Sequence, residues 1–128
     1  MSSVVWEDLI LAILSVNRYS LEKAYSAVDG FRSEELFDLK KLAEQTVEEI
    51  TVRLRRGGYD REEYLTKLFA LRLMSLAAFV KRIGVEESER ILTSPDKRKI
   101  EEFLQPVKGI GPQVLNNFFT LRQGAHQP

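Results

Sequence analysis

The sequence predicts an all-α protein, a compact multi-helix orthogonal bundle that ends in a helix-hairpin-helix. Three observations carry that expectation. Apolar residues recur at helical spacing through nearly the whole chain. Strand-like alternation never persists. Capping residues, glycines and prolines cut the pattern into short segments with tight links. With 128 residues, 44% of them hydrophobic and 30% charged, the chain suits one soluble domain with a modest core.

Ser3 is placed to cap a first helix whose apolar face holds Val5, Trp6, Leu9, Ile10, Ile13 and Leu14. Ser20 starts a second, through Leu21, Ala24, Tyr25 and Val28, with Gly30 placed to close it. Ser33 opens a third, where Glu34, Glu35 and Asp38 lie near the positive end and Leu36, Phe37 and Leu39 are apolar. Thr46-Val47-Glu48-Glu49 reads as a capping box for a fourth helix that stops at Gly57-Gly58. Asp60-Arg61-Glu62-Glu63 reads as a second box. It begins the longest periodic stretch, from Tyr64 to Ile83, which closes at Gly84 and is apolar nearly all round, as a central buried helix would be. A short helix near Glu86–Leu92 follows. Ser94-Pro95 supplies an N-cap and first-turn proline for a helix with Ile100, Phe103 and Leu104 on its apolar stripe. Pro106 ends it, and Pro112 sits at the first turn of a last helix carrying Val114, Leu115, Phe118, Phe119 and Leu121. The domain is expected over residues 1–122, with the hairpin at 95–122 and a frayed tail at 123–128.

Several chemistries are excluded at once. Without cysteine there is no disulfide, thiol nucleophile or cysteine-ligated cluster. No apolar run approaches the roughly 20 residues of a membrane span, and MSSVVWEDL lacks a basic signal-peptide start, so a cytoplasmic protein without membrane contact is expected. The one histidine, His126, lies in the tail. No nucleotide loop, nucleophile triad or metal-ligand spacing is present, so no cofactor, metal or catalytic residue is assigned. Net charge is zero but unevenly spread. Residues 1–50 carry 5 Lys and Arg against 10 Asp and Glu, and residues 51–128 carry 14 against 9. The second part can therefore offer a basic face.

The stretch Val107-Lys108-Gly109-Ile110-Gly111-Pro112-Gln113 joins two helices through an apolar-x-Gly-apolar-Gly turn, the pattern of a helix-hairpin-helix motif. Gly109 and Gly111 can take positive φ and leave no side chain between backbone and ligand. The N–H groups of Gly109, Gly111 and Gln113 then face outward at the positive end of the last helix. Lys108 adds charge, and Val107 and Ile110 anchor the turn. Such a site holds phosphate without reading bases. Lys97-Arg98-Lys99, on the leading helix, are placed to assist. Arg53-Arg55-Arg56 read as a solvated face, and Glu62-Glu63 and Glu86-Glu87 as helix-start charges. The alternative is a plain interhelical turn in which the glycines serve geometry alone.

Over about residues 6–122 the chain resembles the six-helix domain of the helix-hairpin-helix DNA glycosylases, the endonuclease III and 8-oxoguanine glycosylase superfamily of base-excision repair. Leu9-Ile10-Leu11-Ala12-Ile13-Leu14-Ser15-Val16-Asn17 resembles its first-helix signature, Leu54-Arg55-Arg56-Gly57-Gly58-Tyr59 its Gly-x-Tyr segment, and Val107–Gly111 its hairpin. The resemblance implies double-stranded DNA as partner. It implies Asn17 as the residue filling the gap behind a flipped base and Tyr59 as the wedge between base pairs. An Asn helix cap and an aromatic core anchor are the alternatives.

The departures bear on chemistry. Where the bifunctional enzymes carry their Schiff-base lysine this chain has Gln113, so no lyase activity is expected. No Asp or Glu follows Gly111 to activate water. Leu115 stands where the family usually has Ala, which sets the two hairpin helices further apart. The expectation is a non-catalytic DNA-binding module. The alternatives are a monofunctional glycosylase completed by another subunit or copy, and a protein-interaction domain that has lost DNA contact. A partner subunit or self-association would use the face where a second domain docks.

Overall fold

Nine helices, and no strands, make up residues 4–125, the part of the chain that the computed structural model describes. They are α1 (Val4–Leu14), α2 (Leu21–Ser26), α3 (Val28–Ser33), α4 (Leu39–Ala43), α5 (Val47–Gly57), α6 (Glu63–Ile83), α7 (Val85–Leu92), α8 (Lys97–Leu104) and α9 (Pro112–Ala125). The all-α bundle is as the sequence predicts. Ser3 and His126 lie outside the described residues. Gln123 to Ala125, expected as frayed tail, continue α9.

The long helix α6 is the hub, packed by α1, α4, α5 and α7, while α3 packs on α5 and α9 on α1. The most deeply buried helix is nevertheless α1. Every residue from Val5 to Val16 is buried, whereas α6 exposes Leu71 and Ile83. The burial of α1 includes two carboxylates. Glu7 accepts two hydrogen bonds from Arg32, at 2.7 and 2.8 Å, and Asp8 accepts one from Arg122 at 2.9 Å. Buried charge survives only when paired in this way.

Helix starts follow the strongest available side-chain acceptor. The Thr46 box forms as expected, with Thr46 Oγ1 accepting from the Glu49 N–H at 3.2 Å and Glu49 Oε1 accepting from the Thr46 N–H at 2.9 Å. Ser33 does not open a helix; it ends α3, and Asp38 caps α4 by accepting the N–H groups of Lys40 and Lys41. Asp96, not Ser94, caps α8, accepting from the N–H groups of Arg98 and Lys99. The second box is absent. Glu62 makes no side-chain cap bond, and the Arg61 side chain turns away to the loop after α1. Gly30 does not close α2 either. It lies inside α3, where a Cβ would stand 2.1 Å from the Gly57 carbonyl oxygen, so the two glycines let α3 and α5 touch backbone to backbone.

Tyr59 fills the centre of this crossing. It is 1% exposed, lies edge-on to Phe31 and Phe69, and donates its hydroxyl to the Leu14 carbonyl at 2.9 Å. Burial pushes its phenol up to about 12 from 10.0, partly opposed by Arg61. A raised folded-state value means the neutral phenol is what folding favours. That stability is complete below the unfolded value and is lost as pH rises through the folded one. Urea titrations should therefore show about 2–3 kcal/mol lost between roughly pH 10 and 12, at about 1.4 kcal/mol per unit. Tyr19, also raised by burial, adds a smaller loss. A Tyr59→Phe chain that declines as steeply as wild type would refute the assignment.

Candidate nucleic-acid interface

The turn between α8 and α9 is anchored at both ends. The Val107 N–H donates back to the Leu104 carbonyl at 2.9 Å, and the Leu115 N–H to the Gly111 carbonyl at 3.1 Å. Val107 is buried, Ile110 packs partly buried on the core, and Lys108 and Gln113 are exposed. Gly109 has φ +90, and a Cβ there would stand 2.6 Å from Arg72 Cδ. Gly111 does not use that freedom. Its φ is not positive, and a Cβ would meet nothing within 4 Å. Among the described residues, the N–H groups of Gly111 and Gln113 have no backbone acceptor. They open the positive end of α9.

Arg72 is the cation that sequence reasoning missed. It projects from α6 against Gly109, its guanidinium 5.2 Å over the Phe69 ring, and Arg61 lies 5.3 Å over the same ring. No local pattern distinguishes Arg72 from other charges on a long helix; only the α6–turn contact does. Of the run Lys97-Arg98-Lys99, Arg98 lines the hollow beside Ile110 and Gly111. The run forms the first turn of α8, at the end away from Gly109, and successive helical residues point about 100° apart. Lys97 lies 5.2 Å over the Phe119 ring and Arg98 pairs with Glu102 at 3.8 Å. Glu101 and Glu102 border that hollow with Arg98, and Arg72 adds a cation to the turn from the α6 side.

The segments carrying Asn17 and Tyr59 do meet. Arg61 donates to the Val16 carbonyl at 2.8 Å and also to that of Asn17. Asn117 of α9 donates to the Ser15 carbonyl at 3.0 Å, tying the same loop to the hairpin's second helix. Asn17 is exposed with φ 56, and Arg18 follows with φ 70. Left-handed backbone costs a non-glycine residue on the order of 1 kcal/mol, less for asparagine. Tyr59 as a wedge is corrected. Sealed in the core by its apolar ring and its bond to Leu14, it is the aromatic anchor. Tyr64, 68% accessible, is instead the exposed aromatic of an open cleft of about 690 Å³ that it shares with Asn17, Arg18, Lys23 and Arg61 and with Asp60 and Glu62. The sequence placed Tyr64 on an apolar stripe because the first turn of α6 looks periodic; that turn protrudes.

The two buried carboxylates, Glu7 and Asp8, are both held by arginines, while Asp60 and Glu62 line the cleft beside Tyr64. Among the described residues no cluster of metal-ligating side chains occurs and no helix is long and apolar enough to cross a membrane. No protein-family model, curated protein or solved structure matches the chain.

Proposed function

We propose that the chain is a duplex-DNA-binding module of the helix-hairpin-helix glycosylase type, gripping backbone phosphate at Lys108–Gln113 and lacking lyase chemistry. The observation that carries this reading is the open space over Gly111. No packing demand excludes a side chain there, yet two N–H groups without a backbone acceptor among the described residues lie at it, the arrangement a phosphate oxygen needs, and Lys108 stands exposed in the same turn. Arg72 supports the turn from α6, and Asn17, Arg18 and Tyr64 lie along the cleft at the start of that helix. With Gln113 in the amine position there is no nucleophile for a Schiff base.

Anisotropy titration of a labelled duplex at low salt tests it. Binding should be weak and indifferent to sequence, and should fall with salt at a log–log slope of about −0.9 for each phosphate neutralised. No binding at low salt would sink the proposal. Incubation with duplexes carrying different damaged bases, followed by alkali, tests the glycosylase alternative; intact strands are expected.

The protein-interaction reading draws on a different surface. A groove of about 980 Å³ between α4, α6 and α7 has Leu39, Ala77 and Val80 on its floor and charged residues on its rim. Self-association there would appear as a concentration-dependent sedimentation coefficient.

A further inference from the structure

The loop after α1 is held in a conformation that its own residues disfavour. Asn17 and Arg18 are consecutive left-handed residues, neither of them glycine, and both are exposed. What holds them is Arg61. Its guanidinium bridges the Val16 and Asn17 carbonyls and lies over aromatic rings, with Cζ 5.2 Å from the Tyr19 ring centre and 5.3 Å from that of Phe69. A planar fork with several fixed donors suits this bridging of two carbonyls, and an ammonium does not. The charge of Arg61 is thus turned inward, onto backbone oxygens rather than toward solvent.

We infer that Arg61 is a positioning residue for DNA binding, one that fixes the Asn17–Arg18 loop so that both side chains stand ready on the binding face. This rests on the DNA-binding reading above. Preorganisation of that kind strengthens binding because the loop need not be ordered on contact. It also separates Arg61 from Lys108. Lys108 would touch phosphate, so its loss should lower the salt slope by about one charge. Arg61 touches the loop, so its loss should weaken binding and leave the slope alone.

The test compares wild type with Arg61→Met and Arg61→Lys. Backbone NMR order parameters at residues 16–19 should be near the rigid value of about 0.85 in wild type and fall toward 0.6 or below in both variants. Duplex affinity should drop several-fold in both, with the salt slope of wild type. Arg61→Lys keeps the stem and charge beside the same rings, which preserves the test if Arg61→Met does not fold. Wild-type affinity in Arg61→Lys, or a slope reduced by about one charge, would assign Arg61 to phosphate and overturn the inference. Unchanged order parameters in a chain that binds DNA would overturn it too. A wild-type chain that binds no duplex overturns the DNA reading itself, and with it the purpose given to the loop.

Discussion

Gly30→Ala is expected to destabilise the protein by at least about 4 kcal/mol, beyond the 1–3 kcal/mol typical of overpacked cores. Intrinsic preference points the other way, since alanine is favoured over glycine within a helix by about 0.5–1 kcal/mol. The crossing decides the sign. A Cβ on Gly30 would stand 2.1 Å from the Gly57 carbonyl oxygen and 2.9 Å from its carbon, both backbone atoms within another helix. Neither can rotate aside, so α3 and α5 must separate, and with them the contacts of Phe31 and Tyr59. Gly57→Ala should cost less, because its nearest obstacle is the Phe31 ring at 2.9 Å. Gly58→Ala is the control. A Cβ there meets only Ala27 Cβ at 3.5 Å, leaving the strain of φ +107, on the order of 1–2 kcal/mol. Thermal melts followed by circular dichroism would show it. A Gly30→Ala midpoint within about 3 °C of wild type would contradict the crossing, since each kcal/mol is worth roughly 3–5 °C at this size.

Lys108→Glu should lower duplex affinity by about a hundredfold at low salt, with no change in melting temperature. Lys108 is exposed and makes no ion pair among the described residues. Reversal removes one attraction to phosphate and adds one repulsion beside an open helix end. Gly111→Ala is the sharper variant. Its Cβ meets no atom within 4 Å and its φ is not positive, so folding should be indifferent to it. A phosphate seated on the Gly111 and Gln113 N–H groups would not be, and affinity should fall about tenfold. Unaltered binding by Gly111→Ala would place any DNA contact elsewhere on the surface.

What the sequence made legible was local. Thr46 and Glu49 cap each other within one turn, and Pro112 starts α9, because those signals need no partner outside the segment. Gly30 shows the limit. A glycine near the end of a short apolar run resembles a helix stop, and its use in a crossing depends on Gly57, in another helix. Tyr59 and Tyr64 show the same limit at the candidate site. Each is a tyrosine in a plausible context, and only the fold sends one into the core and the other to the cleft. Arg61 lay unremarked within the expected Asp60–Glu63 box, while its partners are the carbonyls of residues 16 and 17. The turn between α8 and α9 was legible from spacing, since its glycines and the proline that starts α9 are neighbours in sequence.

The pairing of α1 with α9 has a consequence for synthesis. Asp8 is bonded to Arg122 and the Ala12 and Ser15 carbonyls to Asn117, contacts that span most of the chain. At about 5–20 residues per second, a ribosome needs some 5–20 s after α1 emerges to deliver its cover. For that interval the most apolar helix of the protein, Leu9 to Leu14, is exposed to the cell. A nascent chain of this protein should therefore depend on a holding chaperone that favours apolar segments, and should be released from it only once Phe118 and Arg122 have left the exit tunnel.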